Sequence, residues 1–176
     1  MSTPAETVTR TPSEVAREIF HGIFEERDLS DPSRYWTDES VDHFIALGIS
    51  VHGKDELARF FGDLFAAFPD WELQIDQTID DGDWRVVVQW KARAAFRGAP
   101  WQGLEPTGSE VTVRGVDVIT LDGDGRVKVN TVYYDAAAFA RDIGMLPRQG
   151  SAADRAVLGA FNLATRARSR LRGRHS

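Results

Sequence analysis

Two ionisable side chains occupy positions that strand alternation reserves for apolar ones. Val111, Val113, Asp117, Ile119 and Leu121 share one face of the run Val111–Leu121, while Thr112, Arg114 and Thr120 share the other. A carboxylate on the apolar face is costly unless it is paired, hydrogen-bonded or neutralised by a proton. If Val41–Ala46 is a strand, Val41, His43 and Ile45 share a face, which sets an imidazole on an apolar surface. Neutral imidazole is readily buried with one ring nitrogen bonded, and it can also take up a proton near neutral pH. A histidine and a carboxyl converging on one apolar cleft could move protons; bonded only to each other, they would be core residues.

The remaining titratable candidates are weaker. His21 points away from the apolar stripe of its helix, His52 sits beside Gly53 in an apparent loop, and both are expected at the surface. The histidines at 21, 43, 52 and 175 lack the close spacing of a ligand pair, and the chain has no cysteine, so neither a metal site nor a thiol nucleophile is expected. The net charge of -6 opposes general nucleic-acid binding. Arg166, Arg168, Arg170, Arg172 and Arg174 recur every second residue, which scatters them around a helix as a solvated tail. No apolar run is long enough for a membrane span and Met1–Arg10 is polar, so the expectation is a cytoplasmic protein without membrane contact.

The elements that must position His43 and Asp117 follow from periodicity. Thr11-Pro12-Ser13-Glu14 fits a capping box, and Val15, Ala16, Ile19, Phe20, Ile23 and Phe24 form the stripe of the helix it starts. Ser30–Ser40 suggests a short helix or turn whose aromatic residues cover one end of the core. Lys54–Phe68 is the clearest helix, with Leu57, Phe60, Phe61, Leu64, Phe65 and Phe68 on one face and Pro69 ending it. Strands follow at Trp71–Ile79, with Leu73, Ile75 and Ile79 on one side, and at Trp84–Phe96, with alternate residues from Trp84 to Phe96 on a dry face. Gly98–Gly108 is a loop long enough to serve as a flap over a cavity. Val111–Asp135 reads as a hairpin turning at Asp122-Gly123-Asp124-Gly125. Asp135 can cap a short helix through Ala136, Phe139 and Ile143, and Ser151 to about Arg168 is a further amphipathic helix.

With 176 residues and 42% hydrophobic content, one core is the default. Residues 1–10 are expected to be a disordered tail, 11–147 the folded domain, and 148–176 a C-terminal helix with an Arg-rich tail. Helices first and a curved sheet after them define an α+β cone, a mostly antiparallel sheet wrapped around N-terminal helices.

Phe68-Pro69-Asp70, Trp90–Phe96, Gly98-Ala99-Pro100-Trp101-Gln102-Gly103-Leu104-Glu105-Pro106-Thr107-Gly108, Arg114-Gly115-Val116-Asp117-Val118 and Tyr134-Asp135 together resemble the SnoaL-like polyketide (ester) cyclase branch of the nuclear transport factor 2-like superfamily, over about residues 12–147. That superfamily includes ketosteroid isomerases. The resemblance matches Asp117 to the aspartic acid those enzymes keep protonated to hydrogen-bond an enolate, and sets His43 near their general-base carboxylate. It implies a homodimer formed through the outer sheet face, here carrying Arg85, Gln89, Lys91 and Arg93. The isomerases' first-helix tyrosine is Ile19 here, the cyclases' Gly-Thr-His is Ala94-Ala95-Phe96, and the stretch where they carry an acidic residue has Val129, Thr131 and Val132.

The implied activity is cofactor-independent cyclase or isomerase chemistry through an enolate, on a hydrophobic carbonyl compound such as a polyketide or steroid-like molecule. His43 would be the base and Asp117 the neutral donor. The pocket is expected to be lined by Trp36, Phe61, Trp90, Phe96, Trp101 and Tyr133. A second reading is a ligand-binding or dimerisation module without catalysis. An epoxide-hydrolase arrangement would need Asp-Arg-Asp in the cavity, and Arg114 lies on the opposite strand face from Asp117.

Overall fold

The computed structural model describes residues 10–172, with side chains to residue 169. The expected tail before Arg10 and the side chains of Arg170, Arg172 and Arg174 lie outside the described residues. Helix α1 is Pro12–Phe20. Thr11 Oγ1 accepts from the Glu14 amide at 3.2 Å and the Glu14 carboxylate accepts from the Thr11 amide at 2.8 Å, which closes the capping box. A wider π turn, His21–Glu25, carries Ile23 and Phe24 onto the same core.

The sheet has six strands: β1 (Trp36–Phe44), β2 (Ile49–His52), β3 (Glu72–Asp80), β4 (Arg85–Ala95), β5 (Glu110–Leu121) and β6 (Val127–Tyr134), in the order β2-β1-β6-β5-β4-β3. Every neighbouring pair is antiparallel except β1 with β6. Helix α2 (Lys54–Ala67) lies in the hollow of this sheet and buries Leu57, Phe60, Phe61, Leu64 and Phe65. Burying a large apolar side chain contributes about 1.5–3 kcal/mol, so the α2 stripe is a substantial part of what holds the core. Helix α3 (Ala136–Asp142) is capped by Asp135, whose carboxylate accepts from the Ala138 amide at 2.9 Å. Helix α4 (Ala152–Arg172) carries Val157, Leu158, Phe161 and Leu163, all exposed. Among the described residues no helix is long and apolar enough to cross a membrane.

Four local expectations are corrected. The strand expected from Val41 starts at Trp36, preceded by only a single 3-10 turn, Pro32–Arg34, and His52 belongs to β2 rather than a loop. Trp84 stands outside β4 with φ 61° and is partly exposed. Ile79 faces solvent at 57% exposure because the pairing slips between Ile75 and Gln77; the extra residue, Asp76, reverses the alternation for the rest of β3.

Candidate functional site: an aromatic cavity with a buried carboxyl

Asp117 stands midway along β5, on the inner face with Val111, Val113, Ile119 and Leu121. Its Oδ1 accepts from the Trp90 indole N–H at 2.7 Å and its Oδ2 from the Asn130 amide at 2.9 Å. The Trp90 bond depends on a glycine. Trp90 is paired across the β4–β5 ladder with Gly115, and a Cβ at Gly115 would lie 2.3 Å from the Trp90 ring. Without that Cβ the indole can lie across β5 and reach Asp117 two residues further on. Burial pushes the Asp117 carboxyl up to about 6, against the pull of the Trp90 and Asn130 bonds.

A second carboxyl lies behind this one. Asn130 on β6 is directly opposite Asp42 on the parallel strand β1, and the same Asn130 amide nitrogen donates to Asp42 Oδ2 at 3.2 Å. Asp42, Asn130 and Asp117 are all buried, and Asp42 Oδ1 and Asn130 Oδ1 have no hydrogen-bond partner. Burial pushes the Asp42 carboxyl up to about 7; the Asn130 bond opposes this and the Asp117 charge adds to it.

The expectation that His43 faces the interior is overturned. The inner residues of β1 are Trp36, Ser40, Asp42 and Phe44, so His43 turns outward and its Nδ1 lies 2.7 Å from Ser50 Oγ on β2. The cause is Phe44, whose ring packs on Phe60 of α2 with centroids 4.3 Å apart. Burying that ring outweighs burying Val41 and Ile45, and Ile45 is left 53% exposed. Trp36 shares this parity and points inward as well, although the β1–β6 pairing slips between Trp36 and Val41.

Between the inner face of the sheet, α2 and α3 lies a cavity of about 70 Å³, walled by Phe60, Phe61, Trp90, Trp101, Tyr134, Phe139 and others, with Asp117 the one carboxyl among its lining residues. Of the aromatic residues expected there, Phe61, Trp90 and Trp101 line it. Trp36 and Phe96 do not. Trp36 stacks on Phe61 at 5.6 Å and Phe96 on Phe68 at 4.9 Å, so both form a layer behind the wall. Tyr133 also misses the cavity: it pairs with Val116 on the outer row and is 49% exposed, while its neighbour Tyr134 takes the inner position. Burial pushes the Tyr134 phenol up to about 12.

The loop 98–108 is fastened to α2, with the Gly98 and Ala99 amides donating to the Ala67 and Ala66 carbonyls at 2.9 and 2.8 Å. Trp101 and Leu104 then pair around a two-residue turn, Gln102-Gly103, with positive φ at both positions. This delivers Trp101 to the cavity wall. The indole nitrogens of Trp101 and Trp71, both wall residues, are buried without a partner. An unpaired buried N–H costs about 1–3 kcal/mol, which an acceptor atom of a ligand would offset. Among the described residues no three metal-ligating side chains converge.

A curved, mostly antiparallel sheet closed over helices around an aromatic cavity defines the class: an α+β cone of the nuclear transport factor 2-like type. The sequence model of the SnoaL-like polyketide cyclase family matches residues 14–143, and the chain belongs to that family. Comparison with curated proteins gives no match. Among solved structures the chain is similar to AclR, a candidate hydroxylase from Streptomyces galilaeus, at 20% identity and TM-score 0.65 over 92% of this chain and 96% of that one. It is similar to a candidate SnoaL-like polyketide cyclase from Jannaschia sp. CCS1, at 25% identity and TM-score 0.64 over 84% of this chain and 99% of that one. An NTF2-like protein of unknown function from Burkholderia pseudomallei K96243 matches at 22% identity and TM-score 0.62, over 77% and 99%.

Proposed function

We propose that the chain is a small-molecule acid–base enzyme of the cyclase or isomerase type, acting on a hydrophobic carbonyl compound, with Asp117 as the group that handles the proton. The observation that carries this reading is the position of Asp117: an ionisable group with a raised pKa on the wall of an otherwise apolar and aromatic cavity. With His43 outside, the acceptor has to come from the interior. Two N–H donors aimed at Asp117 favour its carboxylate form, and a carboxylate titrating near 6 is ionised at neutral pH yet basic enough to accept a proton. It would remove a proton from the carbon beside the substrate carbonyl, leaving the electron pair as an enolate. The neutral carboxyl then returns the proton at another carbon, or to the alkoxide formed when the enolate carbon attacks a second carbonyl. The unpartnered Trp71 and Trp101 N–H groups, buried in the wall, would become donors for substrate oxygens once a ligand displaces a wall side chain.

The cavity is smaller than the ~150 Å³ that accommodates benzene in an apolar core. A ring-bearing ligand therefore enters by displacing a wall side chain, and Trp101 and Phe139 are the wall residues carried on a loop and a seven-residue helix rather than on the sheet or α2. Deuterium uptake at the α-carbons of 2-tetralone, followed by proton NMR in D₂O, tests the reading. Protein-dependent acceleration is expected, and uptake no faster than in buffer removes it.

The small apolar cavity and the outward His43 favour a second reading, a non-catalytic binding module. It predicts that 2-tetralone raises the melting temperature without accelerated exchange. Pairing of two copies through the outer sheet face, where Val118 and Tyr133 are exposed, belongs to either reading. A monomer by light scattering at micromolar concentration would exclude it.

A further inference from the structure

Asp42 lies outside the cavity wall, and nothing in the proposed chemistry requires it. We propose that Asp42, Asn130 and Asp117 share one proton and one negative charge, with the proton held on Asp42 behind the wall and the charge on Asp117 facing the cavity. Asp42 is then a positioning residue that acts through Asn130, and its importance for turnover rests on the function proposed above.

The asymmetry of the hydrogen bonds assigns the two states. Asp117 receives two N–H donors at 2.7 and 2.9 Å, one on each oxygen. Asp42 receives a single longer one at 3.2 Å, and its other oxygen is buried with no partner at all. A carboxylate needs donors and a carboxylic acid needs fewer, so the anion belongs where the donors are. Asn130 can donate both N–H groups only toward acceptors, which fixes its amide orientation and leaves its own oxygen unpartnered. A proton on Asp42 Oδ1 would stand on an oxygen that no donor occupies. Two carboxylates sharing one amide would repel each other with no cation to relieve them, so the second ionisation is driven well above the first.

The surroundings supply no competing charge. Across the ladder β2 places Val51 opposite Asp42, and β6 places Asn130 there; Asp117 has Val88 opposite on β4 and Val132 on β6. Above them α2 contributes Leu57, Phe60, Phe61 and Leu64, and its Lys54 is drawn away to Asp38. Tyr134 is the other titratable group among the cavity-lining residues, and its raised pKa keeps it neutral through this range. The consequence for a base at Asp117 is direct: while Asp42 keeps its proton, Asp117 can be ionised at neutral pH, and the neighbouring oxygen atoms are not a second anion.

The test needs no ligand, so it fails or succeeds separately from the proposed activity. Carbon-13 NMR of the aspartate side-chain carboxyls, titrated in the intact protein, is expected to show Asp117 ionising first and Asp42 second. Asp42→Asn, which copies the neutral form, should fold normally, abolish the upper step and leave the Asp117 midpoint in place. Asp117→Asn should abolish the lower step and move the Asp42 midpoint down, because the neighbouring charge is gone. A downward shift of Asp117 in Asp42→Asn would mean that Asp42 carried the charge, and would overturn the assignment. An Asp42 midpoint unmoved by Asp117→Asn would show two independent acids and overturn the sharing. Asn130→Leu is a second check, expected to raise the Asp117 midpoint by removing a donor; no change there contradicts the role given to the amide.

Discussion

Strands β5 and β1 both place an aspartate in the core, and the protein treats the two differently. Asp117 on β5 sits at the cavity with two donors supplied by the strands on either side of it. Asp42 on β1, two strands over from β5, is not among the cavity-lining residues and has a single donor and an orphaned oxygen. Burial raises both pKa values, so desolvation alone does not distinguish a reactive group from a silent one. Donors and access do.

The largest expected effect falls on the reactive member of the pair. Asp117→Asn keeps the shape of the side chain and removes the base, and should slow protein-dependent exchange into a ketone by about 10²- to 10⁴-fold. An unchanged rate would erase the distinction between the two strands. Next comes the glycine that lets Trp90 reach across. Gly115→Ala forces a Cβ into the indole, and overpacking of this kind costs about 1–3 kcal/mol. Chemical denaturation should show that loss, and the Asp117 midpoint should rise as the Trp90 donor is displaced.

Asp42 has a smaller effect that depends on pH. Its folded pKa, about 7, lies above the ordinary 3.8, so the folded state holds more protons than the unfolded chain between these values. The contribution of Asp42 to stability is therefore fully present below about 4 and is lost as pH rises toward and through 7. Asp42→Asn removes that loss. Compared with wild type, it should gain stability on going from pH 5 to pH 8, measured as the difference in urea midpoints; a variant that loses ground over that range would contradict the pKa assignment. Last is His43, outside and bonded to Ser50. His43→Ala should change stability by about 0.5 kcal/mol or less and leave exchange unaffected. Loss of exchange in that variant would restore it to the mechanism.

The same contrast explains how far the sequence could be read. In β5 a long uninterrupted alternation ends in Asp122-Gly123-Asp124-Gly125, so the parity of Asp117 was legible without the fold. In β1 the short run Val41–Ala46 offered two parities. The choice was made by Phe44 against Phe60, a contact between residues far apart in sequence that no local pattern contains. A weighting of the larger ring over Val41 and Ile45 would have turned Asp42 inward and His43 out. Asn130 is hard to find for a similar reason: flanked by Val129 and Thr131, it shows its inner parity with Val132 and Tyr134 only in the finished ladder. Consecutive tyrosines left Tyr133 and Tyr134 indistinguishable by composition, and only the pairing with Val116 and Gly115 separates them. The slip at Asp76 that exposes Ile79 likewise has no signature in a window that short.

The pH dependence of ketone exchange bears on the central claim most directly. Corrected for hydroxide catalysis in buffer, the protein-dependent rate with 2-tetralone should climb as pH passes about 6, level off above it, and vanish in Asp117→Asn while persisting in His43→Ala. A rate that survives in Asp117→Asn, or that disappears in His43→Ala, would place the proton acceptor elsewhere and contradict the account.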